Sequence, residues 1–176
     1  MPHSANLDKQ VFSRRRSATS SLTLFAAAIS LLLMAPLAHS LASCSVSASG
    51  VAFGNYLYTA ASPTDSTGNV QVSCSLLDLV SVLVSYEIIL SEGNSGAYTP
   101  RQLTSGANVL SYNLYTDPAY TLIWGDAGSG TTTVSDGYLL GLLTVVRDYS
   151  VYGRLPASQN TPAGSYSDTI IVTVSY

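Results

Sequence analysis

The chain has 176 residues, a net charge of −3 and a hydrophobic fraction of 47%. That is enough for one domain with its own core. Its seven lysines and arginines do not outnumber its ten acids, which argues against nucleic-acid binding, where clustered cations must meet phosphates.

The first segment reads as a targeting signal. Arg14, Arg15 and Arg16 precede an apolar run from Leu22 to Leu37, and mostly small residues follow from Ala38 to Ser43. A basic start, a short apolar stretch and small residues make a secretory signal peptide. Ser30 and Pro36 interrupt the run, which argues against a lasting transmembrane helix. Ser40-Leu41-Ala42 places cleavage after Ala42, giving a leader of residues 1–42 and a domain of residues 43–176. Leu41-Ala42-Ser43-Cys44 also fits the pattern ahead of a lipidated bacterial cysteine, so a lipid-anchored domain stays open. Beyond residue 42 the chain keeps three cations, Arg101, Arg147 and Arg154, against nine acids, a net of −6. This part has no polybasic patch for anionic lipid.

Two cysteines remain, Cys44 and Cys74. In an exported chain they read as a disulfide. Two cysteines without a histidine make a weak metal site, because zinc takes four nitrogen or sulfur ligands.

From Cys44 onward every segment reads as strand and turn. Cys44 to Phe53 is a short strand interrupted at Gly50, and Gly54 to Thr67 is a loop. Asn69 to Ser75 alternates, with Val70, Val72 and Cys74 in phase. Val80 to Leu90 alternates again, with Val80, Val82, Val84, Tyr86, Ile88 and Leu90 on one face. Ser91 to Gly96 is a turn. Val109 to Tyr115 carries Leu110, Tyr112 and Leu114 in phase. Tyr120 to Trp124, Thr131 to Val134, Tyr138 to Val146 and Tyr149 to Leu155 are further strand candidates. Pro156 to Ser165 is a loop. The last strand runs from Tyr166 to Tyr176, with Ile170, Val172, Val174 and Tyr176 on one face and Thr169, Ile171, Thr173 and Ser175 on the other. Strict alternation of β-branched residues argues for a half-buried strand. This strand is either the last of a closed sandwich or one that leaves a sheet edge open for another protein's strand. Short strands separated by turns predict an all-β fold, a β-sandwich or barrel, and the two-residue period also fits an immunoglobulin-like Greek-key sandwich with the disulfide tying its first two strands.

Several pieces, in this order, carry a resemblance: Cys44-Ser45-Val46, Val51-Ala52-Phe53-Gly54-Asn55-Tyr56, Gly68-Asn69-Val70-Gln71-Val72-Ser73-Cys74 and Arg101-Gln102-Leu103. They continue with Leu110-Ser111-Tyr112-Asn113-Leu114-Tyr115-Thr116-Asp117, Trp124-Gly125-Asp126, Val151-Tyr152-Gly153-Arg154-Leu155-Pro156, Gln159 and Pro162-Ala163-Gly164-Ser165-Tyr166-Ser167-Asp168-Thr169-Ile170. Together the chain resembles the spore coat protein U domain family, which includes subunits of archaic, Csu-type chaperone–usher pili. The resemblance implies a sandwich lacking its last strand, with a groove beside the C-terminal strand lined by Ile170, Val172, Val174 and Tyr176. It implies a periplasmic chaperone that fills the groove, an outer-membrane usher, and a neighbouring pilus subunit whose donor strand replaces the chaperone. It also implies a secreted structural protein, periplasmic and then on the surface of a Gram-negative bacterium, serving adhesion and biofilm formation. A stalk subunit of that family has a donor segment ahead of its first cysteine. Cleavage after Ala42 leaves no room for one, so the chain would sit at a fibre end or be a periplasmic or lipid-anchored domain that does not polymerise.

Catalysis is not expected. Both histidines, His3 and His39, and the single lysine, Lys9, fall in the leader, which removes serine–histidine and serine–lysine chemistry. Asp126, Asp136 and Asp148 are the carboxylates that could pair for glycoside hydrolysis, but turns favour aspartate for its own backbone bonds. No cofactor is expected. Tyr56, Tyr58, Tyr98, Tyr115, Tyr120 and Trp124 lie near turns and could form a contact surface, as in a tip adhesin or lectin-like module. Tyrosine is equally at home in ordinary strands. Arg101 and Arg154 are read as covering a strand edge or pairing with an acid such as Asp126 or Asp168.

Overall fold

The computed structural model describes residues 42–77 and 81–176. The proposed leader lies almost wholly outside them, as does Val80, the first residue of one predicted strand. Eight strands form among the described residues: β1 Ala42–Ser49, β2 Thr64–Leu76, β3 Val82–Leu90, β4 Arg101–Ser105, β5 Asn108–Tyr115, β6 Val134–Leu140, β7 Val145–Leu155 and β8 Val172–Ser175. Among the described residues the one helical turn is a 3-10 turn, Gly93–Ser95. Every ladder between these strands is antiparallel.

The strands make two sheets, in the order β1-β2-β7-β5-β4 and β6-β3-β8. β7 sits between β2 and β5, and β3 between β6 and β8. Neighbours so far apart in sequence give the crossing connections of a Greek-key sandwich. The inner faces obey the two-residue period. Val70, Val72 and Cys74 of β2, Val84, Tyr86, Ile88 and Leu90 of β3, and Leu110, Tyr112 and Leu114 of β5 are all buried in one continuous core. Cys44 and Cys74 stand opposite each other in the β1–β2 ladder and are disulfide-bonded. The Cys44 sulfur is thereby committed, and a lipid thioether on it would exclude this bond.

Several boundaries differ from the sequence reading. The first strand stops at Ser49, before Gly50. Val51 and Phe53 are buried from an irregular segment instead, and they pack so close over Gly153 that a Cβ there would meet Val51 Cγ1 at 2.6 Å. β2 starts at Thr64, inside the predicted loop. Its register with β7 runs from Thr64↔Leu155 to Cys74↔Val145, so a long partner extends it past its apolar stretch. Tyr120 to Trp124 is not a strand. Asp117 accepts from the backbone N–H groups of Thr121 and Leu122, an Asx-type bend that coils the segment. Of the predicted strand Thr131 to Val134, only Val134 belongs to β6. The run Tyr138 to Val146 is broken between Leu140 and Val145, where β6 ends and β7 begins.

Candidate functional site

The C-terminal segment keeps strand-like alternation well beyond β8. Tyr166, Asp168, Ile170, Val172 and Val174 are buried, while Ser167, Thr169 and Ile171 between them are exposed. Tyr176 departs from the expected face: it is 43% exposed, one residue past the end of β8 at Ser175.

The segment touches both sheets. Ser167 exchanges two backbone bonds with Thr104 of β4, at 2.8 and 3.1 Å. Four residues later, Ser91 N–H donates to the Ile171 carbonyl at 3.0 Å, and Ile171 N–H donates to Ser91 Oγ at 2.9 Å. β8 then pairs with β3, from Leu90↔Val172 to Glu87↔Ser175. One short stretch thus leaves the edge of the larger sheet and joins the edge of the smaller one.

Asp168 fixes the crossing. Its carboxylate is buried and accepts from the Tyr112 hydroxyl at 2.7 Å, from Asn94 N–H at 2.8 Å and from Thr169 N–H at 2.7 Å. Gly93, at φ +75°, leaves the space the carboxylate occupies; a Cβ there would overlap Asp168. Burial pushes the Tyr112 hydroxyl far above its ordinary pKa, with the Asp168 charge adding to it, so Tyr112 stays a donor.

Arg101 lies beneath the crossing, fully buried. Nε and one terminal nitrogen donate to the Ser91 carbonyl at 3.0 and 2.8 Å. That same terminal nitrogen reaches the Trp124 carbonyl at 2.7 Å, and the other reaches Asn113 Oδ1 at 2.8 Å. The guanidinium also sits 5.0 Å from the centre of the Tyr98 ring. Burial draws its pKa below the usual arginine value, opposed by the tyrosines Tyr112 and Tyr98 and by Asp168 and Glu92. The expected direct pairing of Arg101 with an acid is replaced by carbonyl and amide acceptors. Arg154 pairs with Asp65 instead, through bonds of 2.7 and 2.8 Å.

Within β8 the alternation of antiparallel pairing sorts the backbone groups. The Ser91 N–H bond to the Ile171 carbonyl sets the phase, so 89↔173 and 87↔175 are the bonded positions and 88↔174 and 90↔172 the non-bonded ones. The backbone groups of Val172 and Val174 therefore point away from β3, while their side chains point into the core. Among the described residues no ladder covers that outer side of β8. β1, the edge strand of the other sheet, comes close to β8 without pairing to it.

The remaining sequence candidates scatter. Trp124, Tyr56 and Tyr98 are buried and offer no ring to a surface, which corrects their reading as contact residues. Each has its polar tip or its ring engaged inside. Trp124 Nε1 donates to the Ile88 carbonyl, the Tyr56 hydroxyl to the Pro156 carbonyl, and Tyr98 stacks under Arg101. Tyr58 is exposed. Tyr115 and Tyr120 are half-buried and meet edge to face at 5.5 Å, with Arg154 3.6 Å from the centre of the Tyr120 ring. Asp126, Asp136 and Asp148 do not converge: they bond to Gly128 and Thr131, to Tyr149 and Gly137, and to Asn69 and Gln71 respectively. No cluster of three metal-ligating side chains occurs among the described residues. Nor is any helix among them long and apolar enough to cross a membrane. Sequence reasoning missed the burial of Arg101 and Asp168, although both lie in the family-like pieces.

Comparison with known proteins places the chain. It is 34% identical to Protein U of Myxococcus xanthus over 112 residues, which are 62% of this chain and 59% of that protein. The match thus covers less than two thirds of this relative's length. A solved chaperone–tip adhesion subunit pre-assembly complex, from the archaic chaperone-usher Csu pili of Acinetobacter baumannii, aligns with a TM-score of 0.47 at 19% identity, over 77% of this chain and 40% of that one. The model of the Spore Coat Protein U domain matches residues 29–173. The chain belongs to the Spore Coat Protein U domain family.

Proposed function

We propose that this protein is a secreted structural subunit of a fimbria or surface coat, exported behind the leader 1–42 and completed by a strand from a partner. The partner is first a periplasmic chaperone and then a neighbouring subunit at an outer-membrane usher, and the product serves adhesion and biofilm formation. No catalytic role is assigned. The observation that carries this reading is β8, which is laddered to β3 alone among the described residues and turns Val172 and Val174 backbone groups outward. An extended segment laid there gains main-chain bonds from the edge, and apolar side chains inserted beside β8 supply the affinity. Five such side chains would contribute on the order of 8–15 kcal/mol gross. Left bare, such an edge is prone to aggregation. If cleavage follows Ala42, the subunit accepts a strand without donating one and sits at a fibre end, as a tip subunit would.

Val174→Pro tests this reading. Proline removes an N–H on the outer side only, and edge strands tolerate it there. Co-expressed with its chaperone, the variant is expected to be recovered with intact disulfide but with at least a tenfold loss of co-purified chaperone. Capture at the wild-type level would overturn strand addition at β8. Val172→Asp is less informative, because Val172 is buried and a charge there destabilises the core whatever the partner.

A further inference from the structure

The outer face of the larger sheet carries a polar strip that ends on a ledge of tyrosines. Val70, Val72, Val151 and Gly153 are buried, so the residues alternating with them on β2 and β7 face away from the core. The register sets these in rows: Asp65↔Arg154, Thr67↔Tyr152, Asn69↔Ser150 and Gln71↔Asp148. Six residue steps separate Asp65 from Gln71, about 20 Å of strand. Side-chain bonds tie the strip across the two strands. Arg154 holds both oxygens of Asp65, and Asn69 and Gln71 donate to Asp148 Oδ1 at 2.8 and 3.0 Å. At the Arg154 end three rings meet from separate elements: Tyr115 of β5, Tyr152 of β7 and Tyr120 of the Asp117 bend. Tyr120 stands edge to face with Tyr115 at 5.5 Å and with Tyr152 at 6.4 Å. Its backbone lies at φ +59°. A bulky residue keeps that left-handed conformation only where its surroundings impose it, and such residues gather at ligand sites. Here Asp117 imposes it, accepting from the Thr121 and Leu122 N–H groups and from the Thr121 hydroxyl.

The chemistry of the strip selects its ligand. Arg154 is committed to Asp65, so Asp148 leaves the strip with a net charge of −1, which opposes a polyanion. Its four rows contain no aliphatic side chain, so it lacks the apolar centre that a protein partner needs. On the β1 side it is flanked by serines, through Ser47↔Gln71 and Ser49↔Asn69. What it offers is hydroxyls, amides and a carboxylate, which both donate and accept, beside rings that are apolar in body and polar at the tip. An uncharged glycan of equatorially linked hexoses matches both parts, with C–H ring faces for tyrosine and hydroxyl edges for the amides and the carboxylate. We propose that this strip binds a neutral, equatorially linked polysaccharide, one sugar stacking at the Tyr152–Tyr120 ledge and the chain lying along β2 and β7 toward Asp148. Because the ledge rings are already held in place, little ordering opposes binding. β8 belongs to the other sheet, so the site is independent of strand addition there.

The test is calorimetric titration of the purified protein with cellohexaose, a neutral β-1,4-linked glucan. The wild type is expected to bind saturably, Tyr152→Ala at least tenfold more weakly and Gln71→Ala at least threefold more weakly. Tyr152→Phe keeps the ring and should bind within twofold of the wild type, which a loss of packing alone in Tyr152→Ala does not predict. Leu83→Ser, exposed on the smaller sheet, should bind as the wild type does. Hexagalacturonate, an anionic glycan, should bind at least tenfold more weakly than cellohexaose. An unchanged melting temperature establishes that Tyr152→Ala is folded; if it is not, Asn69→Ala/Gln71→Ala replaces it with the same expectation. A wild type without saturable binding overturns the proposal, as does equal binding by the folded variant or equal affinity for the anionic glycan. Tyr152→Ala should still capture the chaperone at the wild-type level, which separates this result from the fate of the β8 reading.

Discussion

A guanidinium cut off from water must find its acceptors within the chain. Arg101 does so with two backbone carbonyls and one amide oxygen held in the plane of its fork. A lysine cannot match that geometry, because its ammonium is a single point charge. Arg101→Lys is expected to lose roughly 3 kcal/mol or more, read as a shift in the urea midpoint; an unshifted midpoint would show that the bonds contribute little. Surface acids act more weakly. The bonds from Arg154 hold the Asp65 carboxyl below its ordinary range, and the Tyr149 hydroxyl does the same for Asp136. For a depressed carboxylate the folded-state stabilisation is present above the unfolded pKa and is lost as pH falls through the folded one. Stability should therefore be level above about pH 5 and decline below about pH 4. Asp65→Asn should flatten part of that decline, by less than about 1 kcal/mol given the exposure of the pair. A decline of equal depth in Asp65→Asn would remove this pair from the account.

Among the elements, β1 depends most on a covalent tie. It is an edge strand, paired with β2 alone in its sheet, and the disulfide joins it to β2 directly. Closing a loop of separation 30 stabilises by about 3–4 kcal/mol in the chain-entropy model. Cys74→Ser should melt well below the wild type under oxidising conditions, and reductant should bring the two close together. Coincident melting without reductant would contradict this. The elements legible in the sequence were those with apolar residues every second position: β3, β5 and the middle of β2. β4 was not legible, because Arg101-Gln102-Leu103-Thr104-Ser105 has a single apolar residue and its other inward position is a buried arginine. A charged side chain satisfied by carbonyls from elsewhere in the chain gives no local signal. For the same reason Trp124 and Tyr56, which follow turns, read as surface residues and are core. Asp168 kept the alternation of the last strand intact, but a carboxylate at an inward position carries no hydrophobic mark.

At the scale of the whole molecule, the question is whether the sandwich is finished. Its C-terminal stretch closes over β4 at Ser167, then runs along β3 with only one flank laddered among the described residues. The apolar periodicity that made this strand conspicuous reports which side chains point inward. It is silent on whether a neighbouring strand exists, since that depends on backbone groups every residue has. Amide hydrogen exchange distinguishes the two cases residue by residue. Thr173 and Ser175 N–H groups, facing β3, should exchange slowly in the partner-free protein, while Val172 and Val174 N–H groups should exchange fast. Adding the chaperone should slow Val172 and Val174 and leave Thr173 and Ser175 little changed. Val172 and Val174 as protected as Thr173 in the free monomer would mean that the fold already supplies its own strand, and assembly would have to proceed by another surface.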